Sequence, residues 1–293
     1  MRTYGLSDQN YVLMKLIIHG GFFSESRTNQ EMKRAKQEAL REIVTLGHKY
    51  LETHNAIETV VYTVSLLEDC DLFNAGTGSQ IQSDGKIRMS ASLMNGKTLQ
   101  FSGVINIEGV RNPIRVAEKL LNMEDKVLSG KGALEFARSH GFGYYNPEIP
   151  SRRHEYEKKL SDSIRLGTVG CVALDFYGDM AAATSTGGKG FEIPGRVSDS
   201  ATAAGNYVNE CAGISCTGVG EDIVSGAVAP KIVTRVTDGM DLQHATMKTL
   251  NELKPFNGFA GVIGISVNGD TYHADTHPYM VWALHDGHID VFS

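Results

Sequence analysis

The chain has 293 residues, 41% of them hydrophobic and 21% charged, with a formal net charge of -6. That length can bury a core without disulfide staples, and an acidic balance with no basic stripe argues against nucleic acid as a partner. The apolar run Val12 to Ile18, broken by Lys15, is too short to span a bilayer and lacks the cleavage site of a secretory leader, so a cytoplasmic protein with no membrane partner is expected. Cys70, Cys171, Cys211 and Cys216 show no CxxC or Cys/His spacing and read as free thiols of a reducing compartment.

In chain order, Lys15 to His19 reads as a buried strand. Asn29 to His54 carries apolar residues at helical spacing (Ala39, Ile43, Val44, Leu46, Leu51). A second helix is expected over Ala56 to Leu67. The stretch from Leu66 to Gly96 turns strand-like, with Asp84-Gly85 as a hairpin signal. Ser102 to Val110 is another strand. Asn112-Pro113 starts a helix to about Met123, with Asn112 as N-cap, and Ala133 to His140 fits a further helix. The charged segment Ser151 to Leu166 is a solvated helix or linker and the clearest break in composition. Two strands follow, Thr168 to Phe176 and Met180 to Thr186. Helices are expected over Gly226 to Val236 and Leu242 to Leu253, then strands around the turn pair Asn268-Gly269. Strands at both ends with helices between suggest an α+β fold.

The chemistry concentrates after the charged segment. A threonine hydroxyl is a weak nucleophile until a base removes its proton, and no His or Asp neighbours Thr168 in sequence. Cutting the Gly167–Thr168 bond would expose an α-amine, which titrates at roughly pH 7.7–8.0, on the residue whose hydroxyl it activates. Gly167 suits such a junction because it tolerates a strained backbone. The bland alternative makes Thr168 a β-branched residue opening a strand. Farther on, Arg196 and Asp199 could be a surface ion pair. "TGVG" could be a phosphate loop, but it lacks the Walker lysine.

Six strings occur in order: "HGG" (19–21), "LFNAGTGS" (72–79), "GTVG" (167–170), "TSTGG" (184–188), "GRVSDS" (195–200) and "CTGVGE" (216–221). Together they resemble the plant-type asparaginase / isoaspartyl aminopeptidase family of N-terminal-nucleophile (Ntn) hydrolases, over nearly the whole chain. The resemblance implies one domain with a four-layer αββα sandwich, and a precursor that cuts itself at Gly167–Thr168 into 1–167 and 168–293. It implies Thr168 as nucleophile, Thr186 orienting it, Asn74 beside it, and an oxyanion hole of Thr217 and Gly218. Arg196 and Asp199 would hold the substrate's α-carboxylate and α-ammonium, with Gly218 and Gly220 as main-chain contacts. The carbonyls of Leu67, Glu68, Cys70, Phe73, Ala75 and Thr77 would hold a structural sodium ion, with no organic cofactor. A small amino-acid or dipeptide substrate and a dimer of cleaved protomers are further implications.

The chain departs from the family at Phe22, Phe23, Ser90 and Ser198, which bear on substrate preference and maturation. Phe22 and Ser90 motivate a rival, an uncut binder of aspartyl ligands; glycosylasparaginase chemistry is a second. His273, His277, His285 and His288 are read as core or surface residues rather than metal ligands.

Overall fold

The computed structural model describes residues 14–22, 30–158 and 167–293. Small and β-branched residues dominate the strands. Eight strands form one sheet: β1 (Lys15–Phe22), β2 (Met89–Asn95), β3 (Gln100–Ile107), β4 (Val127–Ser129), β5 (Val169–Leu174), β6 (Met180–Thr186), β11 (Met280–His285) and β12 (Ile289–Val291). Their order is β12-β11-β1-β5-β6-β2-β3-β4. The second sheet comprises β7 (Asn206–Val208), β8 (Ala212–Gly218), β9 (Ala260–Ser266) and β10 (Thr271–Asp275), in the order β10-β9-β8-β7.

The period-2 alternation of each strand divides its residues between faces. In β5, Val169, Cys171 and Ala173 belong to an apolar cluster shared with α1 (Gln30–Leu51), α2 (Ala56–Asp69) and α3 (Pro113–Leu120). Val172 and Leu174, on the other face, meet Ile263 and Ile265 of β9. The outer face of β8 contributes Ala212, Ile214 and Cys216 to a third cluster, with Ile232 and Val233 of α7 (Val228–Thr237) and Leu242, Ala245 and Leu250 of α8 (Leu242–Asn251). The chain is thus a mixed α/β structure in which helices cover both sheets and the sheets share an apolar core.

The sequence expectations hold for most elements. Helix α2 starts where expected and opens with a capping box: Glu58 N donates to Asn55 Oδ1 at 3.0 Å and Asn55 N to Glu58 Oε2 at 3.3 Å. A helix at α4 (Gly130–Ser139) and a short one at α5 (Pro150–Glu157) also match. Two expectations need correction. Asn112 precedes α3 but does not cap it; its side-chain amide turns back to donate to Ser65 O and Asp69 Oδ1. Asp84-Gly85 forms a turn inside a loop, not a hairpin; the hairpin pairs β2 with β3. Strand β8 and the short helix α6 (Gly220–Gly226) were missed.

Among the described residues no helix is long and apolar enough to cross a membrane. All four cysteines are free. His273 stacks on Trp282, His277 on Phe259 and His285 on His48, so three of the four C-terminal histidines act as flat packing surfaces. Phe23 and residues 159–166 lie outside the described residues.

Candidate active site

The junction Gly167-Thr168 lies immediately before β5, at the end of the strand pair β5–β6. Antiparallel pairing sets Val169 opposite Ser185, which brings Thr186 beside the residue before Val169. Thr168 Oγ1 donates to Thr186 Oγ1 at 3.1 Å. Thr186 Oγ1 also accepts from Gly188 N at 3.2 Å. Its position is therefore fixed from two sides, and Thr168 is almost wholly buried.

Asn74 ties this end of the sheet together. Its main-chain N–H donates to Gly167 O at 3.1 Å, and its carbonyl accepts from Gly187 N at 2.8 Å. Its side-chain amide donates to Gly188 O and accepts from Gln80 N. Gly187 has no room for a side chain: a Cβ would lie 2.5 Å from Asn74 Oδ1. Gly187 of the "TSTGG" string is thus a glycine because Ser79 and Asn74 pack directly on its backbone.

The face of β8 turned toward the eight-stranded sheet carries Ser215 and Thr217. Thr217 Oγ1 is buried with no hydrogen-bond partner among the described residues. Gly218 has φ +141, and a Cβ there would strike Phe259 O at 2.4 Å. A donor hydroxyl left unpaired is costly in a finished core, about 1–3 kcal/mol, and suits a position kept for a developing oxyanion.

Arg196 and Asp199 converge on Gly220. A Cβ on Gly220 would lie 2.8 Å from Asp199 Oδ1 and 3.0 Å from Arg196 Nη2, so the two side chains leave no room for one at residue 220. Asp199 is fully buried, and Oδ2 has no partner among the described residues. Burial pushes its carboxyl up to about 7, against the pull of Arg196. Arg196 makes a two-pronged pair with Glu221, Nε to Oε1 at 2.7 Å and Nη2 to Oε2 at 2.8 Å. That pair holds Glu221 down at about 2. The sequence reading quoted Glu221 within a motif but assigned it nothing.

A second omission is His19. Its Nδ1 lies 3.0 Å from Thr168 O and its Nε2 2.9 Å from Ser215 Oγ, which meets Thr184 Oγ1 at 2.7 Å. The sequence carried only the hydroxyl half of this arrangement, Thr184/Thr186 and Ser215/Thr217 at strand spacing, with nothing that ties it to His19.

Of the departures, Phe22 packs edge-on against Phe259. Ser90 pairs opposite Thr186 in the β2–β6 register, and its hydroxyl accepts from Asn106 N at 3.0 Å. Ser198 Oγ is buried without a partner among the described residues. The loop from Leu67 to Thr77 closes on itself, with Thr77 N donating to Glu68 O at 2.7 Å. The Glu68 side chain leaves the loop and accepts from Ser185 Oγ at 2.7 Å and Ile114 N at 3.1 Å. Burial raises it to about 8 despite those bonds.

This chain is similar to "Isoaspartyl peptidase/L-asparaginase" of Nostoc sp., 42% identical over 95% of this chain and 94% of the relative. It is similar to "Plant-type L-asparaginase" of Pyrococcus furiosus, 37% identical over 93% and 96%. It also matches "Isoaspartyl peptidase" of Escherichia coli, 35% identical over 87% of each chain. The family model described as "Asparaginase" matches residues 12–161 and 149–291. The chain belongs to the asparaginase family of hydrolases.

Proposed function

We propose that the chain is a self-cleaving threonine amidohydrolase that removes the side-chain amide of L-asparagine and opens the isopeptide bond of β-aspartyl dipeptides. The observation that carries this reading is the junction itself: Thr168 Oγ1 on Thr186 at 3.1 Å, with the preceding carbonyl of Gly167 on Asn74 N–H at 3.1 Å. In maturation Thr168 Oγ1 attacks the Gly167 carbonyl carbon, the amide nitrogen leaves as the Thr168 amine, and water hydrolyses the resulting ester. The Asn74 N–H stabilises charge on the attacked oxygen.

In turnover the freed amine accepts the Thr168 hydroxyl proton, and Oγ1 attacks the amide carbon. Charge on the carbonyl oxygen meets Thr217 and Gly218. Ammonia or an amino acid departs with the proton, and water releases aspartate from the acyl-enzyme. Asp199 receives the substrate ammonium and Arg196 its carboxylate, while Glu221 holds the guanidinium from behind.

The same reading includes the four-layer αββα sandwich of Ntn hydrolases, supported by three apolar clusters that alternate with the two sheets. It includes a cytoplasmic dimer of cleaved protomers. It also includes a sodium ion on the main-chain oxygens of Leu67, Glu68, Cys70, Phe73, Ala75 and Thr77, for which hard oxygen donors are suited. Gly76, with φ +56, lets the loop wrap so closely that a Cβ would sit 2.3 Å from Glu68 O, a cradle that fits such an ion. When bound, the ion would rigidify the loop that carries Asn74.

Denaturing mass spectrometry and N-terminal sequencing test the reading. Two fragments are expected, the second beginning Thr-Val-Gly-Cys, and a Thr168→Ala variant is expected to stay uncut and inactive. Turnover by that variant, or activity from an intact wild-type chain, overturns it.

A further inference from the structure

From the geometry behind the nucleophile we infer that His19, set in one tautomer by the Thr168 carbonyl and backed by Ser215 and Thr184, is a positioning residue that holds the main chain of Thr168 so that Oγ1 stays on Thr186. The inference rests on the reading of Thr168 as nucleophile.

Donor capacity sets the direction of every bond in the chain. The Thr168 carbonyl can only accept, so His19 Nδ1, at 3.0 Å, carries a hydrogen. His19 has no exposed surface, and burial drives its imidazole down to about 3, so the ring is neutral and has only that hydrogen. Nε2 is then bare and accepts from Ser215 Oγ at 2.9 Å. With its one proton committed, Ser215 is the acceptor in the 2.7 Å contact, and Thr184 is the donor. The order Thr184 to Ser215 to His19 to Thr168 joins β6, β8 and β1, and so crosses from one sheet to the other.

The backbone makes room for this ring. His19 lies opposite Gly170 in the β1–β5 register. A Cβ on Gly170 would fall 2.3 Å from His19 Nε2 and 2.1 Å from Ser215 Oγ. Only glycine leaves the imidazole lying across β5 to reach the opposite sheet. The need for such an anchor follows from cleavage. Once Gly167–Thr168 is cut, Thr168 is a chain end, no longer tied through Gly167 O to Asn74. Chain ends fray unless tied down, and the Thr168 carbonyl precedes the first residue of β5. The His19 bond ties that carbonyl, and displacement of a reacting group by about 1 Å can cost about 10²-fold in rate.

Two amide variants separate the two ring nitrogens. In His19→Asn the side-chain N–H falls near Nδ1 and keeps a donor for Thr168 O. In His19→Gln it falls near Nε2 and leaves that carbonyl without one. On material bearing the Thr168 terminus, His19→Gln is expected to lower kcat by about 10²-fold with KM unchanged, and His19→Asn to restore most of the rate. Ser215→Ala is expected to lower kcat in the wild type and to change nothing in the His19→Asn background. Equal losses in the two amide variants overturn the proposal, as does a Ser215→Ala loss of equal size in both backgrounds. Nitrogen-15 NMR of histidine-labelled wild-type protein needs no variant: a protonated Nδ1 on His19 is expected, and an Nε2–H tautomer overturns the proposal. A wild type with no Thr168 terminus would instead sink the nucleophile reading, and the tautomer result would still stand.

Discussion

Replacing Asp199 with asparagine is expected to stabilise the ligand-free protein while weakening binding. Burial lifts the Asp199 carboxyl from the ordinary 3.8 to about 7; at about 1.36 kcal/mol per pH unit, holding that charge inside the fold costs on the order of 4 kcal/mol at alkaline pH. The sign is that of a raised acid: the folded state favours the proton, so stability falls as pH climbs from the unfolded value toward about 7 and is flat above. Asp199→Asn removes that cost, so its Tm should exceed wild type by several degrees at pH 8. The gap should close below the unfolded carboxyl range. Binding shows the reverse. An ammonium is received only by the carboxylate, so the Kd of L-aspartate should rise tenfold per pH unit below about 7 in the wild type. That limb should be missing in Asp199→Asn, which binds weakly throughout. Calorimetric melting and titration on material in one processing state measure both. A variant that melts at or below wild type at pH 8, or a wild-type Kd that stays flat between pH 5 and 7, would refute the assignment.

Thr217→Val should split function from stability in the same direction: kcat falls about 10²–10³-fold with the loss of an oxyanion donor, while Tm holds or rises because a buried hydroxyl without a partner is gone. Thr186→Val removes the acceptor at 3.1 Å from the nucleophile; kcat should fall by about 10²-fold with KM little changed in steady-state assays. Glu221→Gln loosens the two bonds that aim Arg196, and initial-rate measurements should show KM rising while kcat stays close to wild type. Because Glu221 titrates at about 2, wild-type KM should show no further limb from this pair between pH 4 and 8.

The strands and helices that sequence reasoning located are those with a period. Helix α2 has apolar residues on one face and a cap whose partner stands three residues on, both visible in a linear reading. Strand β8 (AGISCTG) escaped although Ala212, Ile214 and Cys216 alternate with Gly213, Ser215 and Thr217; its residues are small and hydroxyl-rich, and bounded by glycine they resemble a loop. Asp84-Gly85 misled for the converse reason, since turn chemistry was present but no strands flanked it. In the site, Thr168 and Thr186 were readable from residue type and resemblance. His19 was not, because its role depends on Gly170 and Ser215, one opposite it in the sheet and the other 196 positions away. The Arg196–Glu221 pair was hidden likewise, by a 25-residue separation closed only in the fold.

The space between the sheets changes character along the strands, and that change matches where the proposed chemistry would sit. At one end Ile17, Met94, Val172, Leu174, Ile263 and Ile265 fill it with apolar volume. At the other, His19, Thr184, Thr186, Ser215 and Thr217 fill it with hydroxyls and one imidazole, all buried. An apolar filling would be the cheaper way to hold two sheets together, because each buried hydroxyl must find a partner or cost free energy. The partners exist for all but Thr217 Oγ1, and they form a chain directed toward Thr168. A satisfied polar network is directional where apolar packing is not, so it can fix the rotamer of a threonine and the plane of a peptide as well as the separation of the sheets. The apolar end supplies the stability against which that more costly end is held, and of these five side chains only Thr217 has no partner among the described residues, at the position proposed to meet the oxyanion.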